Sequence, residues 1–452
     1  KSAEITVRSP YLVGWLILSE KDGKSALSFI KMRTVKRDDI DAEGNPVERD
    51  SIIFYDVEKY FRPDLGTEPK GLMEHIGVEY DFGFSDAVYD EIVVMQGKDN
   101  WVELNGNTME HEVYTKEEFG NDLPENFEPV EAAMTFSSKL IRDKNGFIYL
   151  HRKVLANDYH AGSYISVPLA NSTKFKGLYQ AHKLYNRNYY VIPACTEDNS
   201  LVGIWDAGRY NEYSLDGTPS AITENSSRND GNIVELTENT DEKHFKQMSK
   251  NVIAMIPATC GRDNRFDVTD SYIVPKWLAL MEEKGTYSMR YFGLEGDTSG
   301  GIVTVTDFKE VPVDARVFAA GYVDMAVFQH KKYVVFASGK EIWYYPYGGS
   351  TSNAVLLKKF DQNIVSISSH DVEEYTRDGD IYHNGHLGVA LENGDFFIYE
   401  VVEEDKVLDN ITVNQLYPSP ETEDKDNNNF GKIVDTLYKF GNASGVFTYT
   451  FQ

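Results

Sequence analysis

The chain has 452 residues, which is enough for two or three ordinary domains or for one large repeat array. Its composition, 41% hydrophobic and 13% aromatic, supports a packed core and excludes a disordered chain. With 45 Lys and Arg against 72 Asp and Glu, the net charge is −27, which disfavours nucleic acid and anionic lipid as partners.

Seven β-hairpins follow one another along the chain, and they predict the fold. In each, two runs of β-branched and aromatic residues flank a tight turn, as in 333–337 and 342–345 around Ser338-Gly339-Lys340. The turns lie near positions 23, 97, 146, 199, 285, 339 and 394. Four of the six spacings are close to about 50 residues, the length of a long four-stranded blade. The apolar runs are nearly continuous, as expected for strands covered on both faces. We therefore predict an all-β protein, a seven-bladed β-propeller of four-stranded antiparallel blades.

The ends of the chain complete this prediction. Residues 432–438 have strand character but no hairpin, and blade one lacks an inner strand, so the C-terminal strand is expected to close the ring and hide an edge. Residues 13–452 are interpreted as the propeller, with insertions near 35–90 and 225–269. In the second insertion, Asn239 followed by Glu242 predicts a capped helix over 240–250.

One acidic segment resembles a calcium-binding loop. Asp39, Asp41 and Glu43 occupy its first, third and fifth places, a glycine the sixth, and Asp50 the twelfth. Glu43 is long for the fifth ligand and Pro46 interrupts the segment, so a solvated acidic turn is the alternative. We predict no cofactor, and calcium at this loop is the single candidate.

Other candidate groups are weaker, and each has a structural alternative. Asp263, Asp267 and Asp270 form a second acidic loop, and His383 with His386 is the closest histidine pair. The sequence has two cysteines, Cys195 and Cys260, which are interpreted either as two buried thiols or as one disulfide bond. Aromatic side chains could bind sugars or fill the space between blades; examples are Tyr159, Tyr164, Tyr210, Tyr213 and Tyr347.

Motifs of known enzyme classes are not found in the sequence. It contains no G-x-S-x-G elbow, no H-E-x-x-H and no phosphate-binding glycine loop. A glycosidase needs a pair of carboxylates, but among 72 acidic residues some pair will always look suitable, so such a pair does not indicate this activity. No catalytic residue is predicted.

The N-terminal segment, from Val7 and Ser9 through Tyr11 to Gly14-Trp15-Leu16-Ile17-Leu18-Ser19-Glu20 and Asp22-Gly23, resembles a known family. It is similar to the bacterial PKD-like family of envelope lipoproteins, in which a PKD-like domain precedes a β-propeller. The resemblance implies that residues 1–12 are a remnant strand or linker of such a preceding domain. The segments 319–321, 340–344 and 430–435 are similar to that family too. The resemblance implies a location in the bacterial cell envelope, outer-membrane-anchored or periplasmic, through a lipid anchor that lies outside this chain. It implies no catalytic residue.

These observations favour a non-enzymatic envelope binding module that recognises a glycan, a peptide or a partner protein through one propeller face. One alternative is a propeller enzyme, a polysaccharide hydrolase or lyase with central carboxylates. Another is a structural subunit of an outer-membrane uptake complex. Fold alone does not decide among them.

Overall fold

In the computed structural model of the chain, the residues described are 10–11, 13–40, 46–80, 86–98, 100–134, 138–152, 163–170, 173–180, 190–206, 231–240, 242–259, 276–296, 302–328, 333–347, 354–370, 374–375, 381–382, 385–403, 411–420 and 428–439. Within them the protein is all-β, as predicted. The helices in these ranges are two short 3-10 helices, Thr115–Phe119 and Ala315–Phe318. Neither is long and apolar enough to cross a membrane.

The strands account for nearly all the regular structure in these ranges. In chain order they are β1 (Gly14–Lys21), β2 (Lys24–Ile40), β3 (Pro46–Arg62), β4 (Gly71–Tyr80), β5 (Asp86–Met95), β6 (Val102–Asn105), β7 (His111–Tyr114), β8 (Pro129–Met134), β9 (Ser138–Asp143), β10 (Ile148–Arg152), β11 (Phe175–Leu178), β12 (Tyr190–Thr196), β13 (Leu201–Asp206), β14 (Ile233–Thr237), β15 (Asn251–Thr259), β16 (Lys276–Glu283), β17 (Thr286–Gly296), β18 (Val303–Val313), β19 (Tyr322–Phe328), β20 (Tyr333–Ser338), β21 (Glu341–Pro346), β22 (Val355–Lys359), β23 (Ile364–His370), β24 (Glu374–Tyr375), β25 (Ile381–Tyr382), β26 (Gly385–Leu391), β27 (Phe396–Glu403), β28 (Ile411–Tyr417) and β29 (Lys432–Lys439).

Sequence neighbours pair into sheets. Sheet 1 is β29-β1-β2-β3, sheet 2 is β4-β5-β6-β7 and sheet 3 is β10-β9-β8. Strands β11 to β18 form one eight-stranded sheet, whose halves β11–β14 (sheet 4) and β15–β18 (sheet 5) meet through a short parallel pairing of β14 with β18. Sheet 6 is β19-β20-β21-β22, sheet 7 is β23-β26-β27-β28, and β24 pairs with β25.

All seven predicted hairpins are present, and each turns at or beside its predicted position. They are β1–β2, β5–β6, β9–β10, β12–β13, β16–β17, β20–β21 and β26–β27. Gly339 has a φ of 54°, the left-handed conformation that a glycine turn accommodates without strain. The C-terminal strand β29 runs antiparallel to β1, with Trp15 opposite Tyr438, so the predicted pairing is confirmed. In the third hairpin, the predicted strand 134–141 is instead the end of β8 and the start of β9.

Hydrophobic clusters lie between successive sheets. Leu18 of sheet 1 packs in one cluster with Ile92 of sheet 2, and Phe328 of sheet 6 with Leu387 of sheet 7. Sheet 7 also packs on sheet 1, because one cluster contains Trp15 as well as residues from β26 and β27. The core is thus divided into layers between sheets rather than collected at one centre.

The two predicted insertions have different structures. In the first, β2 and β3 extend as one long antiparallel hairpin down to the pair Ile40 and Pro46. In the second, the helix predicted over 240–250 is wrong, because the described residues there form bends without helix. The physical reason is tertiary: the backbone groups of this segment bond to neighbouring elements instead of to one another, as described below.

In each of the seven sheets, one strand at the edge is called the lead strand here, and most lead strands share a feature of the backbone. The lead strands are β29, β4, β8, β11, β15, β19 and β23. All of them except β4 have a β-bulge near their start. The first residue after the bulge is Asp435 in β29, Glu131 in β8, Gly177 in β11, Ala254 in β15, Asp324 in β19 and Ser366 in β23. A bulge re-aims the side chain that follows it. Where that side chain is polar, it bonds to the next lead strand.

Four such bonds link lead strands, and in each a backbone N–H donates to the post-bulge side chain of the preceding sheet. Leu178 donates to Glu131 at 2.7 Å and Ile367 to Asp324 at 2.9 Å. The N–H of the residue after Asp435 donates to Ser366 Oγ at 3.1 Å, and Leu72 N–H donates to Asp435 at 2.7 Å. The last two bonds place β29 between β23 and β4.

Candidate functional site

A cleft of about 730 Å³ lies on sheet 4 beneath residues 238–250, the segment between β14 and β15 that we call the cleft loop. Its floor is apolar and is formed by Leu201, Val202, Ile233, Leu236 and Phe245. Its rim combines hydroxyl, carboxylate and ammonium groups, namely Thr173, Lys174, Thr196, Glu197, Asp198, Ser200, Glu235, Glu238, Thr240, Glu242, Lys243 and Lys246. A concave site with an apolar floor and convergent polar groups is the usual form of a ligand pocket.

The cleft loop is fixed by hydrogen bonds to the β12–β13 hairpin. Leu201 N–H donates to the Phe245 carbonyl at 2.8 Å, and Met248 N–H donates to the Asn199 carbonyl at 2.9 Å. The Asn199 side chain donates to the carbonyls of Met248 and Lys250. Phe245 and Met248 themselves are buried in the core. These bonds take the donors and acceptors that a helix would have used, so the loop is ordered without being helical.

Arg290 of β17 supports the loop from below. It is nearly fully buried, donates to the His244 carbonyl at 2.6 Å and pairs with Glu310 of β18 at 2.7 Å. Its guanidinium also lies 5.2 Å from the Phe245 ring centre, within range of a cation–π contact. Burial opposes the charge of Glu310, yet bonds from Lys250 and Arg290 lower the pKa of this carboxyl to about 2. The cleft wall is therefore preformed.

Charged groups of the rim are partly engaged with one another. Lys246 pairs with Glu235 at 2.8 Å, and the His244 ring lies between Glu238 and Glu242, at 2.8 and 3.0 Å. The rim thus offers a ligand both donors and acceptors over an apolar floor.

A second group of carboxylates lies where the lead strands meet. Asp324 and Asp435 both accept from Ser366 Oγ, at 3.3 and 2.9 Å. Burial, and the neighbouring Asp435 charge, raise the pKa of Asp324 to about 7, and burial raises the pKa of Asp435 to about 6. Raised carboxyl pKa values are a mark of functional sites and of structural networks alike. Here the oxygens accept the backbone bonds described above, so these groups bind neighbouring strands together.

The predicted calcium ligands are placed only in part. The backbone of Asp39 lies in β2 opposite Val47, and that of Asp50 lies in β3. Asp41 and Glu43 lie outside the described residues. The calcium site stays a prediction.

Several other predicted candidates can be placed. Tyr164 and Tyr347 are buried, which confirms the core interpretation for these two. Cys195 is a buried free thiol, and burial raises its pKa to about 11. His386 is half-buried, and desolvation lowers its pKa to about 4. The remaining candidates lie outside the described residues: Tyr159, Tyr210, Tyr213, Cys260, Asp263, Asp267, Asp270 and His383.

Sequence reasoning missed one set of metal-ligating groups. His75, Glu91 and Glu103 are fully buried between sheets 2 and 3, and one donor atom of each lies within 4.8 Å of the others. Among the described residues, these three are the group of His, Cys, Asp and Glu side chains whose donor atoms are close enough together to hold a metal ion.

No protein-family model matches the chain, and no curated protein matches it. Among solved structures, the chain is similar to one in the crystal structure of Kap60 bound to yeast RCC1 (Prp20), with 11% identity, 88% of this chain and 84% of that chain covered, and a TM-score of 0.39. It is also similar to the WD40 domain of SCAP from fission yeast, with 9% identity, 76% of each chain covered and a TM-score of 0.37. It is similar as well to a mutant of AofleA from Arthrobotrys oligospora, with 9% identity, 83% of this chain and 95% of that chain covered, and a TM-score of 0.36. These neighbours are propeller-like, and the likeness is distant.

Proposed function

We propose that the chain is a non-enzymatic binding module on a seven-bladed propeller, and that its cleft binds a neutral oligosaccharide. In this proposal each of sheets 1 to 7 is one blade, and β29 closes the ring. The observation that carries the proposed function is the cleft itself, a preformed concavity with an apolar floor and a rim of donors and acceptors.

The closed ring is supported by two features of the sheets. Clusters of buried side chains connect each sheet to the next and sheet 7 to sheet 1. In addition, β29 accepts Leu72 N–H of β4 through Asp435 and donates a backbone N–H to Ser366 of β23. Both links are those expected of a strand inserted between the last blade and the second one. Closure removes the exposed edges that an open array would keep.

An oligosaccharide suits the cleft better than an anionic ligand does. Sugar hydroxyls both donate and accept hydrogen bonds, and the rim supplies hydroxyls, carboxylates and ammonium groups together. The apolar CH faces of a sugar match a floor of Leu201 and Phe245. The chain carries a net charge of −27, which opposes binding of polyanions. Because the cleft loop is already fixed, little ordering cost falls on binding.

The enzyme alternative would use Asp324 and Asp435, the carboxylates that converge between lead strands. Their oxygens accept backbone N–H groups of β23 and β4 as well as the Ser366 hydroxyl. A carboxylate that accepts these bonds is held in place as a link between strands. We therefore assign the pair to the scaffold and keep the binding module as the proposal.

We also propose a bacterial envelope location, which the resemblance to PKD-like lipoproteins supports. An antibody against this chain should detect the native protein in the outer-membrane or periplasmic fraction of its source cells. Detection in the cytosolic fraction alone would contradict the proposal.

The binding proposal is tested on an array of neutral and acidic glycans, with and without calcium, with the same samples assayed for released sugars. Saturable binding without turnover is expected. Thr240→Trp, which fills the exposed rim of the cleft, should weaken binding by at least about tenfold, or about 1.4 kcal/mol. Thr286→Trp adds the same side chain at the exposed first residue of β17 in sheet 5 and should bind normally. Sugar release, no binding to any glycan, or equal binding by both variants would overturn the assignment.

A further inference from the structure

The interface between sheets 2 and 3 contains a buried group of charges that the proposed function does not use. On sheet 2, His75 of β4 lies directly opposite Glu91 of β5, and Glu103 of β6 is paired with Val93, two residues along the same face. All three side chains are fully buried. The same interface contains an apolar cluster with residues from both sheets, including Met73, Trp101, Ile141 and Tyr149.

The donor atoms are close enough to share one ion. His75 Nε2 is 3.1 Å from Glu91 Oε2 and 3.7 Å from Glu103 Oε2. Nitrogen and oxygen ligands bind zinc at about 2.0–2.2 Å, so two ligands of the same ion stand roughly 3–3.5 Å apart. The observed separations fall near this range. Three strands of one rigid sheet supply the three groups, which fixes their positions.

Other buried ionisable groups lie on the opposite side of this interface. Facing the trio are Lys139 of β9, His151 of β10 and Glu118 of the first 3-10 helix, all buried. Lys139 Nζ bonds Glu103 at 2.7 Å and Glu118 at 2.8 Å. Lys139 therefore links Glu103 of the trio to Glu118 across the interface.

An imidazole and two carboxylates that converge in an enclosed apolar interface are the donor set either of a metal site or of a buried ionic network. The two alternatives differ in whether the protein binds a metal.

Tyr164 favours the metal. Its hydroxyl is buried and has no hydrogen-bond partner among the described residues, and its ring packs edge-on against His151 at 5.1 Å between centroids. Burial, together with the charges of Glu118, Glu103 and Glu91, raises the pKa of Tyr164 well above its usual value, so the phenol is neutral and keeps its proton. A buried hydroxyl near three carboxylates is the group that orients a water ligand on a bound ion.

We infer that His75, Glu91 and Glu103 bind one divalent transition-metal ion in a structural site between sheets 2 and 3. An imidazole with two carboxylates suits zinc, iron(II) or manganese(II), whereas calcium and magnesium prefer oxygen ligands throughout. Lys139 and Thr115, which donates to Glu103 at 3.2 Å, hold the second ligand carboxylate in orientation. Because the site is enclosed, the ion enters during folding.

The test is refolding of the whole chain from denaturant and chelator with zinc, manganese(II) or cobalt(II), followed by gel filtration and elemental analysis. We expect one ion per chain, a higher melting temperature with metal, and visible absorption bands for the cobalt form. Glu91→Gln and His75→Gln should lose the ion and the metal-dependent rise in melting temperature.

His244→Gln is the matched control, because His244 also lies between two glutamates, but at the surface. It should retain the ion. Loss of the ion in this variant, or a wild-type chain that refolds without metal and shows no metal-dependent change, would overturn the inference and leave an ionic network without metal. If the buried variants fail to fold, the cobalt spectrum of the wild-type chain decides between a nitrogen-containing site and none.

Discussion

Replacing Asp324 by asparagine should change the pH dependence of stability in a defined direction. Burial and Asp435 raise the pKa of Asp324 in the folded protein to about 7, from an ordinary value of 3.8. Between these two values the folded chain binds more protons than the unfolded chain does. The free energy of unfolding therefore falls as pH rises through this window, and the loss is complete above pH of about 7.

The size of the effect follows from the shift. Each pKa unit corresponds to about 1.4 kcal/mol, so three units set an upper bound of about 4 kcal/mol. Asp324 and Asp435 titrate as a pair, which divides the effect between them, and we expect about 1–3 kcal/mol for one substitution. Asparagine keeps an acceptor for Ile367 N–H, which is bonded at 2.9 Å, and has no charge to desolvate.

The assay is urea unfolding followed by tryptophan fluorescence from pH 4 to 8, since Trp15, Trp101, Trp205 and Trp277 are all buried. Asp324→Asn should be more stable than the wild type at pH 8 by about 1–3 kcal/mol and close to it at pH 4. The control is Asp361→Asn, at an exposed carboxylate. A difference between Asp324→Asn and the wild type that is the same at both pH values would refute the reasoning.

Three further predictions concern stability. Asp435→Ala removes the acceptor of Leu72 N–H, so it should lower the free energy of unfolding by about 2–4 kcal/mol and speed amide exchange at Leu72. Faster exchange in β29 alone would count against the proposed bond between β4 and β29. Glu310→Gln should lower the free energy of unfolding by about 1–3 kcal/mol above pH of about 4.5, where the wild type has the full stabilisation from its ionised Glu310. The wild type loses this stabilisation as pH falls towards 2, so the two proteins should become equally stable in acid. A difference in stability that does not change with pH would contradict this. Gly296→Ala would place a methyl group 1.8 Å from the Trp205 ring and should cost about 1–3 kcal/mol with a change in tryptophan emission; unchanged emission and stability would show that the contact is not as described.

The hairpins could be predicted from sequence because their signals are local. Asn393-Gly394 and Lys284-Gly285 supply turn conformations wherever they occur, and the flanking apolar runs pair across them. The helix over 240–250 failed for the opposite reason. Its capping pattern is local, but Asn199 and Arg290 capture its carbonyls from other elements. Tertiary bonds of this kind have no signature within the segment itself.

The buried charges between sheets 2 and 3 had a signal that sequence reasoning did not use. Side chains two residues apart share a strand face. Glu103 follows Trp101 and His75 follows Met73 at this spacing, and both apolar partners are buried. A charged residue on the core-facing side of a strand predicts a buried network, although its partners on other strands cannot be named without the fold.

The links between lead strands left a similar trace. Val130-Glu131, Val323-Asp324 and Val434-Asp435 repeat one dipeptide pattern at the start of their strands. The pattern marks equivalent positions in different sheets. Only the structure shows that each carboxylate reaches the next lead strand, because that contact depends on the bulge before it.

The central claim is that the cleft under residues 238–250 binds the ligand, and hydrogen–deuterium exchange tests it most directly. The wild type and Thr240→Trp are each compared with and without a glycan selected from the array, at a concentration near the wild-type dissociation constant. The account predicts protection of amides in β13, the β12–β13 turn and the cleft loop of the wild type, and much weaker protection in Thr240→Trp. Protection confined to other sheets, or at the lead strands around Asp324 and Asp435, would contradict it.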